Sequence, residues 1–176
     1  MFKPLQLSDS ATAVSLLDPA IDWDKMIADA KASDSEHFDG CATCDAEIKA
    51  RLVTDLRAEA RQSPSVVAGK IAIKSGFSLT KFVIGVIPAD HMVRIADECT
   101  MAGKYTESAW RCFLASVRDI EGFEPKPKRG RMVGGVEYCD TDWLKSTFVR
   151  GLRTIACEIG GYAWSWNQLT EDETKN

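Results

Sequence analysis

His37, Cys41 and Cys44 are the only closely grouped soft ligands in the chain. Cys41-Ala-Thr-Cys44 offers two thiolates at metal-binding spacing, and His37 can add a nitrogen. A structural zinc ordinarily takes four ligands, and no second CxxC supplies the fourth. Folding would have to bring Cys99, Cys112 or Cys139 near. The pair also lacks the strand-to-helix setting of a redox dithiol. The chain is therefore expected to need no metal and no cofactor. His37, Cys41 and Cys44 are the candidate ligands should zinc be found.

The other reactive side chains stand apart. Cys99, Cys112 and Cys157 fall in or beside apolar helical stripes, where cysteine serves as a small core residue. His91 follows Asp90 and precedes Asp97. It can act as a base only if the fold brings it a partner, so it reads as a helix-start or surface histidine. The carboxylates are scattered, and no spacing isolates a pair for acid–base work. There is no Walker loop, no HExxH and no nucleophile elbow. These residues predict a protein that acts through its surface rather than by bond chemistry.

The chain has 176 residues, and 45% apolar with 27% charged side chains suits a soluble globular protein. One domain over residues 1–176 is expected. The net charge of −4 disfavours general nucleic-acid binding, which needs concentrated positive charge. No stretch reads as a signal peptide or a membrane span, so a reducing compartment and free thiols are expected. Up to residue 60 there are twelve acidic and six basic side chains, an acidic end that fits a basic partner or a solvated surface equally well.

The elements follow from apolar periodicity. Phe2–Leu7 suits a short edge strand, with Pro4 tolerated at an edge. Ile21–Ala32 is an amphipathic helix with Trp23, Met26, Ile27 and Ala30 on one side. Residues 33–44 read as a polar loop. Asp45–Arg61 is a firmer helix, with Ile48, Leu52, Leu56 and Ala60 every four residues. Gln62–Val66 is a break around Pro64. Lys70–Lys74, KIAIK, alternates like a strand and can form a hairpin with the next strand across Ser75–Thr80.

Lys81–Ile87 is rich in β-branched and aromatic residues, predicting a strand that Pro88 ends. Gly85 marks a bulge or a close backbone contact. Asp90 then caps a helix carrying Met92, Ile95, Ala96 and Cys99. After Gly103, a second helix from Glu107 carries Trp110, Phe113, Leu114, Val117 and Ile120 as far as Gly122. Residues 124–135, EPKPKRGRMVGG, read as a basic flexible loop. Val133–Cys139 extends briefly. Asp140 or Thr141 then caps one long helix from Trp143 to Ile159, which Gly160 and Gly161 end or kink. Tyr162, Trp164 and Trp166 cluster before a polar tail, residues 167–176. The predicted class is α+β: a mostly helical domain with a small antiparallel sheet or hairpin.

Over residues 81–176 the chain resembles tail-assembly chaperones of long-tailed bacteriophages. FVIGVIPADHMVRIADECT is similar to their extended segment and first helix. SAWRCFLASVRDIEGF resembles the next helix, and VGGVEYCDTDWLKSTF the segment leading into the last one. The ending NQLTEDETKN is similar to their polar ends. The resemblance implies a non-enzymatic protein of the host cytoplasm. It would hold a tape-measure-like protein and recruit major tail protein subunits. On that reading Trp143, Trp164 and Trp166 are the aromatic partner contacts. Lys126, Lys128, Arg129 and Arg131 are the electrostatic ones. The alternatives are a virion structural or connector protein, and a small zinc-bearing regulatory protein.

Overall fold

Two aromatic-rich helices crossing at a glycine hold this chain together, and a small sheet packs beside them. The computed structural model describes residues 9–33, 44–75, 79–100, 105–149 and 151–173. In chain order the elements are β1 (Ser10–Val14), α1 (Trp23–Ser33), α2 (Cys44–Gln62), α3 (Pro64–Ser75), β2 (Lys81–Gly85) and α4 (Ala89–Thr100). Then come α5 (Tyr105–Ser116), β3 (Val117–Glu121), β4 (Arg129–Val133), β5 (Val136–Cys139), α6 (Thr141–Thr147) and α7 (Arg153–Glu173). The fold is α+β and mostly helical, as the sequence predicts. The edge strand expected at Phe2–Leu7 lies outside the described residues, as does most of the 33–44 loop.

One antiparallel sheet has the order β1-β2-β3, and β4 and β5 form a separate hairpin. In the first sheet Phe82 pairs with Ala13 on one side and Ile120 on the other. The β2–β3 register slips by one residue at Arg118, a β-bulge. That bulge lets Val117 and Ile120 both reach the core although they are three residues apart. Gly85 sits directly against it. A Cβ there would stand 2.3 Å from the Arg118 Nε and 2.8 Å from the Tyr138 hydroxyl. The bulge expected at Gly85 falls instead at Arg118 on the facing strand, and the atoms that crowd Gly85 are side-chain rather than backbone atoms.

Several expected elements differ. Lys70–Lys74 is the end of α3, not a strand, so no hairpin joins it to β2. Pro64 does not prolong a break there. It opens the helix, where its missing amide costs nothing, and the Ser63 carbonyl accepts from Val66 and Val67. Val67, Ala68 and Ile71 bury at helical spacing against β1, while Ile73 is 82% exposed. The second amphipathic helix stops at Ser116, and its last apolar residues, Val117 and Ile120, are strand residues of β3. Asp90 lies inside the first turn of α4 rather than capping it. The Pro88 carbonyl accepts from His91 and Met92 there.

The basic 124–135 segment is only partly a loop. Arg129–Val133 is β4, turning at Gly134 and Gly135, both at positive φ, into β5. Asp140 does cap the following helix, its carboxylate accepting from the Trp143 amide at 2.7 Å. That helix, however, ends at Thr147. Phe148 and Leu152 turn into the core, and α7 starts afresh at Arg153. It passes through Gly160 and Gly161 and takes in the start of the polar tail.

The main core joins β1, β2 and β3 to α2, α3, α5, α6 and α7. Phe113 sits at its centre, edge-on to Phe148 at 5.0 Å and Phe82 at 6.0 Å, and stacked on Trp110 at 5.8 Å. A second cluster, Ile87, Met92, Ile95, Cys99, Cys112 and Ala115, fixes α4 on α5.

Candidate functional site

The face of α4 opposite the exposed Val93 carries His91, Arg94, Ile95 and Glu98, spaced as one helical side. Arg111, Leu114 and Ala115 face it from α5, Thr141 and Lys145 from α6, and Arg131 from β4. Together they line an open cleft of about 450 Å³. Five basic side chains and a single carboxylate meet there, in a chain that is acidic as a whole.

These cations are not equally engaged. Arg111 is neutralised twice, by Glu98 and by Glu107 at 3.3 Å. Lys145 reaches only the exposed Asp142, at 3.3 Å. Arg94 is exposed and has no carboxylate partner among the described residues. Arg131 is the unusual one. Its Nη2 donates to the Ala115 carbonyl at 2.6 Å, and its guanidinium lies 4.9 Å from the Tyr138 ring centroid. Its Nε is buried without a hydrogen-bond partner. Burial pushes the Arg131 guanidinium below its ordinary value, opposed in part by Tyr138 and Cys139. A guanidinium held this way carries charge that the protein leaves largely unanswered.

The hairpin sets that position. Gly130, at φ +146°, is the extra residue of a second bulge, since Arg129 pairs with Cys139 but Arg131 with Tyr138. Arg129 therefore goes to Asp119, while Arg131 enters the cleft. Tyr138 supports the arrangement from below. It is fully buried, donates to the Val86 carbonyl at 2.8 Å, and has the guanidiniums of Arg131 and Arg118 at 4.9 and 5.1 Å from its ring centroid.

Compared with protein-family models, curated proteins and solved structures, the chain finds no match.

Of the seven residues expected at a partner surface, only Arg131 lines this cleft. Lys126 and Arg129 border a separate depression over β3 with Asp119, Glu121 and Glu124, and Lys128 is exposed. Trp143 is 8% exposed and belongs to the main core, because the Asp140 cap turns α6 inward. Trp164 and Trp166 are half-buried, one on each cluster. The three do not form an exposed aromatic group. His37 and Cys41 lie outside the described residues, and Cys44 opens α2. Among the described residues no group of metal-binding side chains forms. Burial pushes the Cys112 and Cys139 thiols up to about 12, which keeps them protonated core residues.

Sequence reasoning passed over Arg94, Arg111 and Lys145, and read His91 alone. The signal available was the 91, 94, 98 spacing of polar residues flanking the apolar Ile95 on α4. What it lacked was the facing surface, which comes from residues up to 54 positions away.

Two other hollows are accounted for by internal structure. One of about 570 Å³ is lined by Arg57, Arg153, Glu158 and Tyr162, whose charges pair at 3.0 Å (Arg57–Glu158) or with Glu107 at 3.2 Å (Arg153). One of about 320 Å³ is walled by Phe82, Phe123 and Phe148, with Asp18 accepting from the Ala20 and Thr80 amides.

Proposed function

We propose that this protein is a non-enzymatic assembly factor, a tail-assembly chaperone that holds a tape-measure-like partner and recruits tail-tube subunits in the host cytoplasm. The observation that carries the reading is the cation-lined cleft. It is open, it lies beside an outer strand, and the charges of Arg94 and Arg131 are not consumed inside the fold. Such a surface suits reversible recognition of another chain, since polar contacts recruit a partner and still let it leave. The order of elements over residues 81–173 also supports it. A strand leads into α4 and α5 follows, as in the resembling segments, although β3, β4 and β5 come between α5 and the last helices.

Co-expression with the proteins encoded beside it, followed by pull-down and mass spectrometry, tests this. The expected outcome is capture of a long helical tape-measure-like protein, with none of this chain in mature particles. Retention in particles would instead make it a virion structural or connector protein. Absence of any assembly partner, together with one zinc per chain, would replace both with the regulatory reading built on Cys41 and Cys44.

A further inference from the structure

We propose that the cleft between α4, α5, α6 and β4 receives an acidic, extended polypeptide segment, with its carboxylates on Arg131, Arg94 and Lys145. The partner's identity as an assembly protein rests on the function proposed above; the chemistry of the occupant rests on the cleft itself.

Charge complementarity selects the occupant. Arg131 has a buried, unpartnered Nε and only neutral acceptors around it. Taking a guanidinium partly out of water without an anion is costly, and an arriving carboxylate offsets that cost through charge-assisted hydrogen bonds. Arg94 brings a second unpaired positive charge from the opposite wall. Lys145 brings a third, because an ion pair with a 90% exposed Asp142 is weak enough to exchange. Arg111, already held by Glu98 and Glu107, shapes the floor rather than receiving the ligand.

The shape points to an extended chain. Among the described residues β4 pairs only with β5, and its other edge has no strand neighbour there. A segment lying along this edge can use main-chain hydrogen bonds for affinity and alternate side chains for recognition. A phosphate backbone is the poorer match. The Tyr138 ring that packs against Arg131 is fully buried and offers no face on which a base could stack.

The test is fluorescence anisotropy on the full purified chain at low ionic strength. The probes are a labelled decapeptide alternating Glu and Val, its Lys-Val counterpart, and a thymidine decamer. Saturable binding of the Glu-Val peptide alone is expected. Arg94→Glu, on the exposed side of α4, should weaken it by about tenfold, and Arg131→Ala by at least as much. Arg131→Lys keeps the charge and guards against an unfolded variant; it should bind better than Arg131→Ala. Equal binding by wild type and Arg94→Glu, no binding of the acidic peptide, or tighter binding of the thymidine decamer would each overturn the proposal. If Arg94→Glu still captures the tape-measure-like partner, the cleft assignment fails and the assembly role stands. If the peptide binds at the cleft but no assembly partner is captured, the reverse holds.

Discussion

Among the described residues Glu158 is the most heavily used carboxylate, with a side chain only 7% exposed. It accepts from the Ser15 hydroxyl at 2.6 Å, the Leu16 amide at 3.0 Å, and Arg57 at 3.2 Å (Nε) and 3.0 Å (Nη2). One side chain of α7 thereby ties down the end of β1 and the middle of α2. Glu158→Gln retains the shape but removes the charge, and turns an amide nitrogen toward groups that are all donors. Arg57 is partly exposed and can turn to water, which limits the loss. The expected cost is about 2 kcal/mol, read as a lowered urea midpoint at unchanged slope. Nothing local marks Glu158 as special in the sequence, because its partners lie 101 and more residues away. Arg131 is the same lesson in reverse. It was singled out as one of a basic run, yet its role depends on a bulge at Gly130 that separates it from Arg129.

At the scale of elements, the crossing of α5 and α7 is set by one glycine. A Cβ on Gly160 would stand 1.8 Å from the Ala109 carbonyl oxygen and 2.9 Å from the Phe113 nitrogen, both backbone atoms that cannot swing aside. Gly160→Ala must push the helices apart and disturb Phe113 at the centre of the core. A loss of about 3 kcal/mol, or failure to fold, is expected. Gly161 is the control. Nothing lies within 4 Å of its added Cβ, and its φ is not positive. Gly161→Ala should therefore stabilise the helix by about 0.5–1 kcal/mol. Thermal unfolding of the two variants, followed by circular dichroism, separates close packing from helix propensity. Two adjacent glycines predict a helix end only if neither has a packing reason to be there; here one does. The same limit explains KIAIK. Five residues alternate like a strand, but Val67, Ala68 and Ile71 share a helical face once Pro64 starts the helix.

The whole molecule joins two apolar clusters through α5, whose Phe113 faces one and Cys112 the other. The buried thiols make this joint measurable. Cys112 lies in the second cluster and Cys139 in the main one; each is raised from an ordinary 9.0 to about 12 by burial. Well below pH 9 both are protonated folded or unfolded, and they contribute no pH dependence. Above it the unfolded chain releases protons that the fold retains, so stability falls as pH rises toward 12. Between pH 9 and pH 10 the loss from both thiols is about 2 kcal/mol. Urea midpoints across that interval check it, and Cys112→Ala with Cys139→Ala should flatten the slope. If the clusters unfold together, near- and far-ultraviolet signals will coincide at each pH.

By itself the sequence determined what short-range periodicity can carry. It specified a mostly helical α+β chain, helices over Ile21–Ala32 and Asp45–Arg61 that fold as Trp23–Ser33 and Cys44–Gln62, the strand from Lys81, and a cap at Asp140 or Thr141 that falls to Asp140. Each of these depends on neighbours within a turn or two, where apolar spacing and backbone preference agree. The tertiary structure decided the rest: that α5 yields to β3 at Val117, that α7 runs through Gly160, and that Trp143 turns inward. It also decided which basic side chains meet. His91, Arg94, Arg111, Arg131 and Lys145 come from four elements, and no local rule brings them together. Their convergence is a sum of long-range contacts, the α4–α5 packing and the bulged hairpin above all, and those contacts exist only once the chain has folded.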